Sequence, residues 1–314
     1  MKLHHLRNVV AVVERGSLRA GAKHLGIAQP AISRSIVELE RELGVVLFER
    51  SKFGMTLTRP GEVFARRAKG MLADLQRTIE EMSQLSGEDR GTITLGCSTA
   101  SAIAILPTVV NRFRLKFPNV RIKVVEGSLP MLEAELRDGL VDLYVGPVSP
   151  GFADPALVVE PLFENERIVV ARRDHPLREA TRLEQLASAS WVTTQIAVDT
   201  DKEVIGLFVA AGLPPPKIVM QASSGFTLAT IIASSNLLAP VPRQWLDVIR
   251  VTGLMTRIPV IDLPNAPPIC SVRRANMPLT PAAEHLNDIA TRAADSHMRS
   301  LLAAPAIGFA PRAD

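Results

Sequence analysis

The 314-residue chain is 47% hydrophobic, only 4% aromatic, and carries a net charge of +4 with a pI near 9.3. That length exceeds one small domain, and so few aromatic side chains leave the core to Leu, Ile, Val and Ala, which suits helices and parallel strands. Two cysteines, Cys97 and Cys270, exclude a disulfide framework or a cysteine zinc cluster.

No uninterrupted apolar run reaches the roughly 18 residues of a membrane span. No apolar leader follows Lys2, His4, His5 and Arg7 either, so a soluble, cytoplasmic protein that does not enter a membrane is expected. The charge is unevenly spread. Met1 to Lys69 holds 13 Lys+Arg against 6 Asp+Glu, an excess of +7 that leaves −3 for the rest of the +4 chain. A basic front end on a slightly acidic body points toward a polyanion, although a solvated charged face gives the same count.

Leu3, Leu6, Val10 and Val13 fall at helical spacing and give a first amphipathic helix closed by Gly16. Ser17 suits the N-cap of a short second helix, Leu18 to Leu25, which Gly26 ends. A third helix begins at Gln29-Pro30, where proline's missing N–H costs nothing. Its buried stripe is Ile32, Ile36, Leu39 and Leu43, and its other face shows Gln29, Ser33, Arg34 and Arg41.

Two short helices joined by a three-residue turn form a helix-turn-helix, and the start of the second helix is the part that reaches base edges. Gln29 suits adenine or a phosphate, Arg34 guanine or a phosphate, and Ser33 almost any acceptor. Alternation from Leu47-Phe48 to Leu57-Thr58 around a Lys52-Phe53-Gly54 tip reads as a two-stranded wing, with Arg50 and Lys52 beside the backbone or minor groove.

These residues resemble the LysR-type transcriptional regulators. The matching positions are Ser17-Leu18-Arg19-Ala20-Gly21-Ala22, Leu25, Gln29-Pro30-Ala31-Ile32-Ser33, Ile36, Leu39-Glu40, Leu43-Gly44, Leu47-Phe48-Glu49-Arg50 and Leu57-Thr58-Arg59-Pro60-Gly61. The resemblance implies double-stranded promoter DNA as a partner, read through Gln29, Pro30, Ser33, Arg34, Arg50 and Lys52. One departure is Ala28, where the family usually has serine; a lost capping hydroxyl costs about 1 kcal/mol of helix stability.

From Glu62 to Leu85, Phe64, Ala68, Met71, Leu75, Ile79, Met82 and Leu85 step by three and four between charged faces. So narrow and long a stripe reads as a coiled-coil seam, hence a homodimer, and a dimer of dimers (a tetramer) by resemblance. Ser86 to Gly91 then reads as a hinge.

Beyond it, strands at Thr92–Gly96, Val120–Val125, Val141–Val145, Arg167–Ala171, 191–192, Lys217–Gln221, Leu237–Pro240 and Ile269–Arg273 alternate with helices at 105–117, 130–139, 202–211, 225–233 and 281–294. Such alternation implies a parallel sheet with covered faces. The expected organisation is α/β: a winged helix-turn-helix over 1–60, a dimerising linker helix over 61–87, and a two-lobed effector-binding domain over 88–300. Lobe I covers about 92–163 and 268–300, lobe II about 164–267, and 301–314 reads as a disordered tail.

Ligands of such sheets sit beyond the carboxyl ends of strands, where helix N-termini favour anions. Ser98, Thr99, Ser101, Ser128, Thr193 and Thr194 occupy those ends. Singly each hydroxyl is an ordinary N-cap; together they are a candidate effector site for a carboxylate or sulfonate. The resemblance implies a domain like a periplasmic binding protein. Thr181-Arg182-Leu183, Trp191, Gly212-Leu213-Pro214, Pro242-Arg243 and Pro278–Ala283 are similar to toluenesulfonate-responsive members of the family, which points to an aromatic acid or sulfonate effector.

Nothing in the sequence has the spacing of an enzyme site, a metal site or a cofactor cradle: there is no G-x-S-x-G, P-loop, H-E-x-x-H or C-x-x-C. His175, in Asp174-His175-Pro176, reads as a turn, and His24, His285 and His297 as surface residues of helices. Two other readings stay open. One is a thiol-responsive regulator using Cys97 and Cys270, and the other a non-regulatory small-molecule binding protein. RNA polymerase is a further expected partner.

Overall fold

The computed structural model describes residues 1–51, 54–194, 200–260, 263 and 265–303. The chain divides into two units, one of residues 1–88 with 137–140, the other built from 89–136 and from 141 onward.

In the first unit, helices α1 (Leu3–Arg15), α2 (Leu18–Leu25) and α3 (Gln29–Leu43) are each closed by glycine in the left-handed region, at φ 72°, 67° and 70° for Gly16, Gly26 and Gly44. A side chain there would meet the following carbonyl, so glycine is the natural stop. Ser17 starts α2 by accepting the Ala20 N–H at 3.1 Å. Strands β1 (Phe48–Ser51) and β2 (Gly54–Leu57) pair antiparallel as the expected wing. From the wing runs α4 (Arg59–Leu85), capped by the Thr58 hydroxyl on Gly61 N–H at 3.0 Å.

The core of this unit is Val9, Val12, Ile32, Ile36, Leu39 and Leu47, all nearly fully buried. That corrects the phase expected for α1. Val10 and Val13 are only half-buried, and Leu3 is 42% exposed. The adjacent valine pairs leave the phase ambiguous in sequence. Tertiary packing decides it, because Gly21 of α2 sits directly on the Ala11–Val12 backbone, where a Cβ would come within 3.1 Å. Leu43 likewise is 38% exposed rather than buried, since α3 outruns the core by its last turn.

In the second unit, β3 (Gly91–Cys97) leads into α5 (Thr99–Ala104) and α6 (Leu106–Lys116). The pattern continues through β4 (Val120–Glu126), α7 (Leu129–Arg137) and β5 (Leu143–Pro147). A sixteen-residue strand, β6 (Leu157–Arg172), follows, then a 3-10 turn at Leu183–Leu186 and β7 (Ser190–Thr194). After these come α8 (Thr200–Ala210), β8 (Lys217–Ala222), α9 (Gly225–Ser234) and β9 (Ala239–Pro242). The unit closes with α10 (Trp245–Thr252), β10 (Met255–Ile258), β11 (Asn265–Arg274) and α11 (Pro281–Ala303).

The sheet is mixed rather than parallel throughout. β4, β3 and β5 run parallel, whereas β11 is antiparallel to both β5 and β6, and β9 and β10 are antiparallel to β6. The reason is topological, because β6 crosses from one lobe to the other and β11 returns beside it. β6 pairs with β11 up to Glu166 and with β9 from Arg167, so the change of partner falls between those residues, against an expected lobe boundary at 163–164.

One lobe's core lies between the sheet and α6 with α11, including Ile93, Leu95, Val145, Phe113 and Leu286. The other lobe packs Trp191 and Phe208 on one side of its sheet and Val170, Ile232 and Trp245 on the other. α10 and β10, only eight and four residues long, have no counterpart among the expected elements. α11 runs to Ala303, so the first residues of the expected tail are helical; 304–314 lie outside the described residues.

One glycine in the winged unit allows a direct test. A Cβ at Gly61 would overlap the Leu47 carbonyl oxygen, a backbone atom that cannot swing aside. Gly61→Ala is expected to lower the melting temperature of the DNA-binding unit and abolish DNA retention in a gel-shift assay, while Gly206→Ala, where open space awaits the methyl group, changes neither.

Candidate nucleic-acid interface and effector cleft

The first turn of α3 stands free. Gln29, Pro30 and Arg34 are exposed and Ser33 is half-buried, while Ile32, Ile36 and Leu39 hold the opposite side. Ala28 occupies the N-cap without a side-chain bond to the turn, as the departure from the family pattern implies. The free N–H groups and the positive end of the helix dipole are left for an outside acceptor such as a phosphate. Arg50 lies in β1 opposite Met55. Lys52 lies outside the described residues.

Two fixings of this helix were not foreseen from sequence. The Asn8 amide donates to Ser35 Oγ at 2.7 Å inside the core, tying α1 to α3. The Glu40 carboxylate accepts the N–H groups of Leu47 and Phe48 at 2.7 and 3.2 Å, which sets the wing's starting point from the recognition helix itself.

α4 then carries an apolar stripe of which only the beginning is covered: Phe64 packs on the winged core. Met71, Leu75, Ile79, Met82 and Leu85 are 36–66% exposed.

In the second unit a cavity of about 40 Å³ opens where β3, β5, β7 and β9 end against the middle of β6. Its polar lining is Ser98, Thr99, Asn165, Arg167 and Thr194. Its apolar walls include Pro147, Leu228, Pro242 and Trp245. Three of the six expected effector residues therefore meet here.

Ser101 lies one turn below, its hydroxyl 3.0 Å from that of Ser98. Ser128 is buried at the head of α7, outside the lining. Thr193 cannot share a face with Thr194, because successive strand residues point to opposite sides. Its hydroxyl is instead fully buried and donates to the Asp201 carboxylate on α8.

Asn165 and Arg167 were missed in sequence. Arg167 heads an apolar strand run and is 8% exposed at its side chain; following Glu164 and Glu166, it reads in sequence as part of an ordinary charged stretch. The Glu203 carboxylate accepts its Nη2 at 2.7 Å, leaving Nε without a partner. Asn165 is 1% exposed; its Nδ2 reaches the Pro267 carbonyl at 3.4 Å and its Oδ1 has no partner. Across the cavity the Thr99 hydroxyl donates to Glu126 at 2.5 Å, and Gly225 packs so closely that a Cβ would lie 2.9 Å from the Thr99 methyl.

Comparison with known proteins decides the family. Residues 3–62 match the bacterial regulatory helix-turn-helix protein of the lysR family, and residues 86–295 match the LysR substrate binding domain. The chain belongs to the LysR family of transcriptional regulators.

As a LysR-type protein it is a DNA-binding transcriptional regulator with an effector-binding domain, not an enzyme. It is 28% identical over 241 residues, 77% of both chains, to the HTH-type transcriptional regulator TdcA of Escherichia coli (strain K12). It is 27% identical over 308 residues to GbpR of Azospirillum brasilense, covering 97% of this chain and 90% of the other. Full-length CbnR in complex with its target DNA superposes with a TM-score of 0.71 at 20% identity, covering 93% of this chain and 100% of that one. Full-length OxyR C199D from Pseudomonas aeruginosa gives 0.66 at 22% identity over 94% of each chain.

Other groups in this LysR-type chain are structural. His175 spans its turn, with Nδ1 accepting the Leu177 N–H at 3.0 Å and Nε2 lying 3.2 Å from the Asn236 carbonyl; burial lowers its pKa. His285 and His297 are half-buried against Phe117 and Phe163 rather than at the surface, whereas His24 is exposed. Among the described residues no helix is long and apolar enough to cross a membrane, and no His, Cys, Asp and Glu cluster could hold a metal ion.

Cys97 and Cys270 are 2% and 3% exposed. Cys97 registers with Val145 of β5 and Cys270 with its neighbour Gly146, so the two thiols point to opposite faces of the sheet. Burial pushes Cys97 up to about 12 and Cys270 up to about 11, helped by Glu126 and Glu164 respectively. A raised thiol pKa means the protonated, unreactive form prevails at every pH below it. Iodoacetamide at pH 8 should therefore leave both cysteines of the native chain unlabelled by mass spectrometry and label both once denaturant is added. Labelling of the native chain would reopen the thiol-responsive reading.

Proposed function

We propose that the chain recognises promoter DNA as a dimer, or a dimer of dimers, through the first turn of α3, and that a small acidic effector in the cleft between its two lobes sets promoter activity. The domain limits taken are 1–60, 61–87 and 88–300. The observation that carries the reading is the cleft: strand ends contribute Ser98, Thr99 and Thr194, and one buried cation, Arg167, faces into it. Among the described lining residues Arg167 bears the only charge, which favours an acid.

Gln29, Pro30, Ser33 and Arg34 present the base-reading turn, with Arg50 and Lys52 on the wing beside the backbone. The exposed Met71-Leu75-Ile79-Met82-Leu85 stripe supports dimerisation, since so much aligned apolar surface on one helix gains most by facing another like itself. Two recognition helices then match a site with two half-sites about one or more helical turns apart. An effector that binds one arrangement of the lobes better than another shifts the balance by that difference in affinity alone. Contact with RNA polymerase in the cytoplasm completes the regulatory step.

Three measurements test this reading. Ile79→Glu should convert the full chain to monomers in analytical ultracentrifugation and weaken operator binding; an unchanged dimer would place the interface elsewhere. Arg34→Ala should weaken operator binding by about 1–3 kcal/mol if it reads guanine, with relaxed sequence preference, or lower the salt slope by about one if it holds a phosphate. Ala28→Ser restores the missing cap and should raise the winged unit's stability by about 1 kcal/mol in denaturant titration.

A further inference from the structure

Two buried polar atoms in the cleft are left without partners, and they are complementary. Asn165 Oδ1 is an acceptor and Arg167 Nε a donor, each on a side chain at least nine-tenths buried, and both line the same cavity. They stand two residues apart on β6, hence on one face, with about 7 Å between their backbone positions. An unpaired buried donor or acceptor costs its desolvation in full, and such groups are normally satisfied. Each has another polar atom engaged, which helps to fix the free one. Arg167 gives Nη2 to Glu203, and Asn165 gives Nδ2 to the Pro267 carbonyl, so the amide cannot turn without breaking that bond.

We propose, building on the cleft reading above, that the effector is a small aliphatic acid bearing a hydrogen-bond donor, a hydroxyl or an amino group, beside its carboxylate. The carboxylate accepts from Arg167 Nε and the hydroxyls of Ser98 and Thr194. The neighbouring O–H or N–H donates to Asn165 Oδ1.

The cavity is small, about 40 Å³, which favours the smallest acids over the aromatic acid or sulfonate suggested by the family resemblance. Pro147, Pro242 and Trp245 wall the cavity with rigid groups, which leave a short chain as the occupant. A ligand lacking the donor would seal Asn165 Oδ1 in a dry site without a partner, so the pair discriminates by leaving the wrong ligand's counterpart unsatisfied.

The test is calorimetric titration of the full chain with lactate, 2-hydroxybutyrate and L-serine, with propionate and butyrate as donor-free counterparts, and with benzoate and toluenesulfonate. A hydroxy or amino acid should bind roughly tenfold or more tightly than its donor-free counterpart. Asn165→Ala should erase that preference, and Arg167→Met should weaken every acid.

Equal binding of butyrate and 2-hydroxybutyrate, tighter binding of an aromatic acid, or a preference that survives Asn165→Ala would overturn the proposal. If those results come with binding that Ser98→Ala abolishes, the cleft reading stands and only the donor requirement falls. Binding indifferent to Ser98→Ala, or no binding by any probe, removes the cleft reading as well. A ligand-free arm checks the orphaned acceptor itself: Asn165→Leu should raise the melting temperature by about 2–4 °C, with Asn165→Ala read in its place if leucine does not fold. A fall in both variants would mean the acceptor is already satisfied.

Discussion

β6 belongs to two sheets at once, and the effector-binding domain depends on that continuity. Its first ten residues pair with β11 in one lobe and its last six with β9 and β10 in the other. A strand that changes partners has a stretch where the two sheets meet, and here that stretch includes Asn165 and Arg167. Polar side chains can face a cavity from there while the backbone on either side remains bonded. The guanidinium of Arg167 is nevertheless taken out of water, which is expensive for any ion without a counter-charge. Glu203 on α8 supplies it at 2.7 Å and leaves Nε available. The charge is thus both tolerated by the fold and still presented to the cleft.

The winged unit is held together by a different constraint, close backbone approach. Gly21 lets α2 lie against the backbone of α1, and Gly61 lets the start of α4 touch the Leu47 carbonyl. Glu40 then fastens the wing to the recognition helix through two backbone N–H groups. Because none of these contacts involves the side chains of the first turn of α3, the base-reading turn can vary in sequence without moving. Gln29, Pro30 and Arg34 are exposed and bear almost none of the packing, so recognition and stability rest on separate residues.

Much of this was legible in the sequence for identifiable reasons. The three N-terminal helices end at glycines that need positive φ, and such stops are local properties, so their limits were read closely from Gly16, Gly26 and Gly44. The phase of α1 was not local: Val9 and Val12 rather than Val10 and Val13 face inward because α2 packs there. Likewise the hydroxyls at strand ends were found from position alone. Position could not tell Thr193 from Thr194, a choice fixed by the register of β7 against its neighbours, nor reveal that Asn165 and Arg167, in mid-strand, turn into the cleft. Antiparallel β11 was expected as a strand; its direction followed from topology, which periodicity does not carry.

The places where the chain departs from good packing practice are informative together. Asn165 Oδ1 and Arg167 Nε are buried without partners beside one cavity, and the outer half of the α4 stripe lies open to water. Each lowers the stability of the isolated chain. Natural sequences keep such departures where something else completes them. The two kinds differ in what would do so. Aligned apolar side chains on a single helix ask for area, which another helix provides. A lone acceptor beside a lone donor in a cavity of about 40 Å³ asks for a small molecule with matching chemistry. Since filling either removes a specific deficit, occupancy of the two would be expected to stabilise the folded chain independently, area through assembly and hydrogen bonds through ligand, so that neither can stand in for the other.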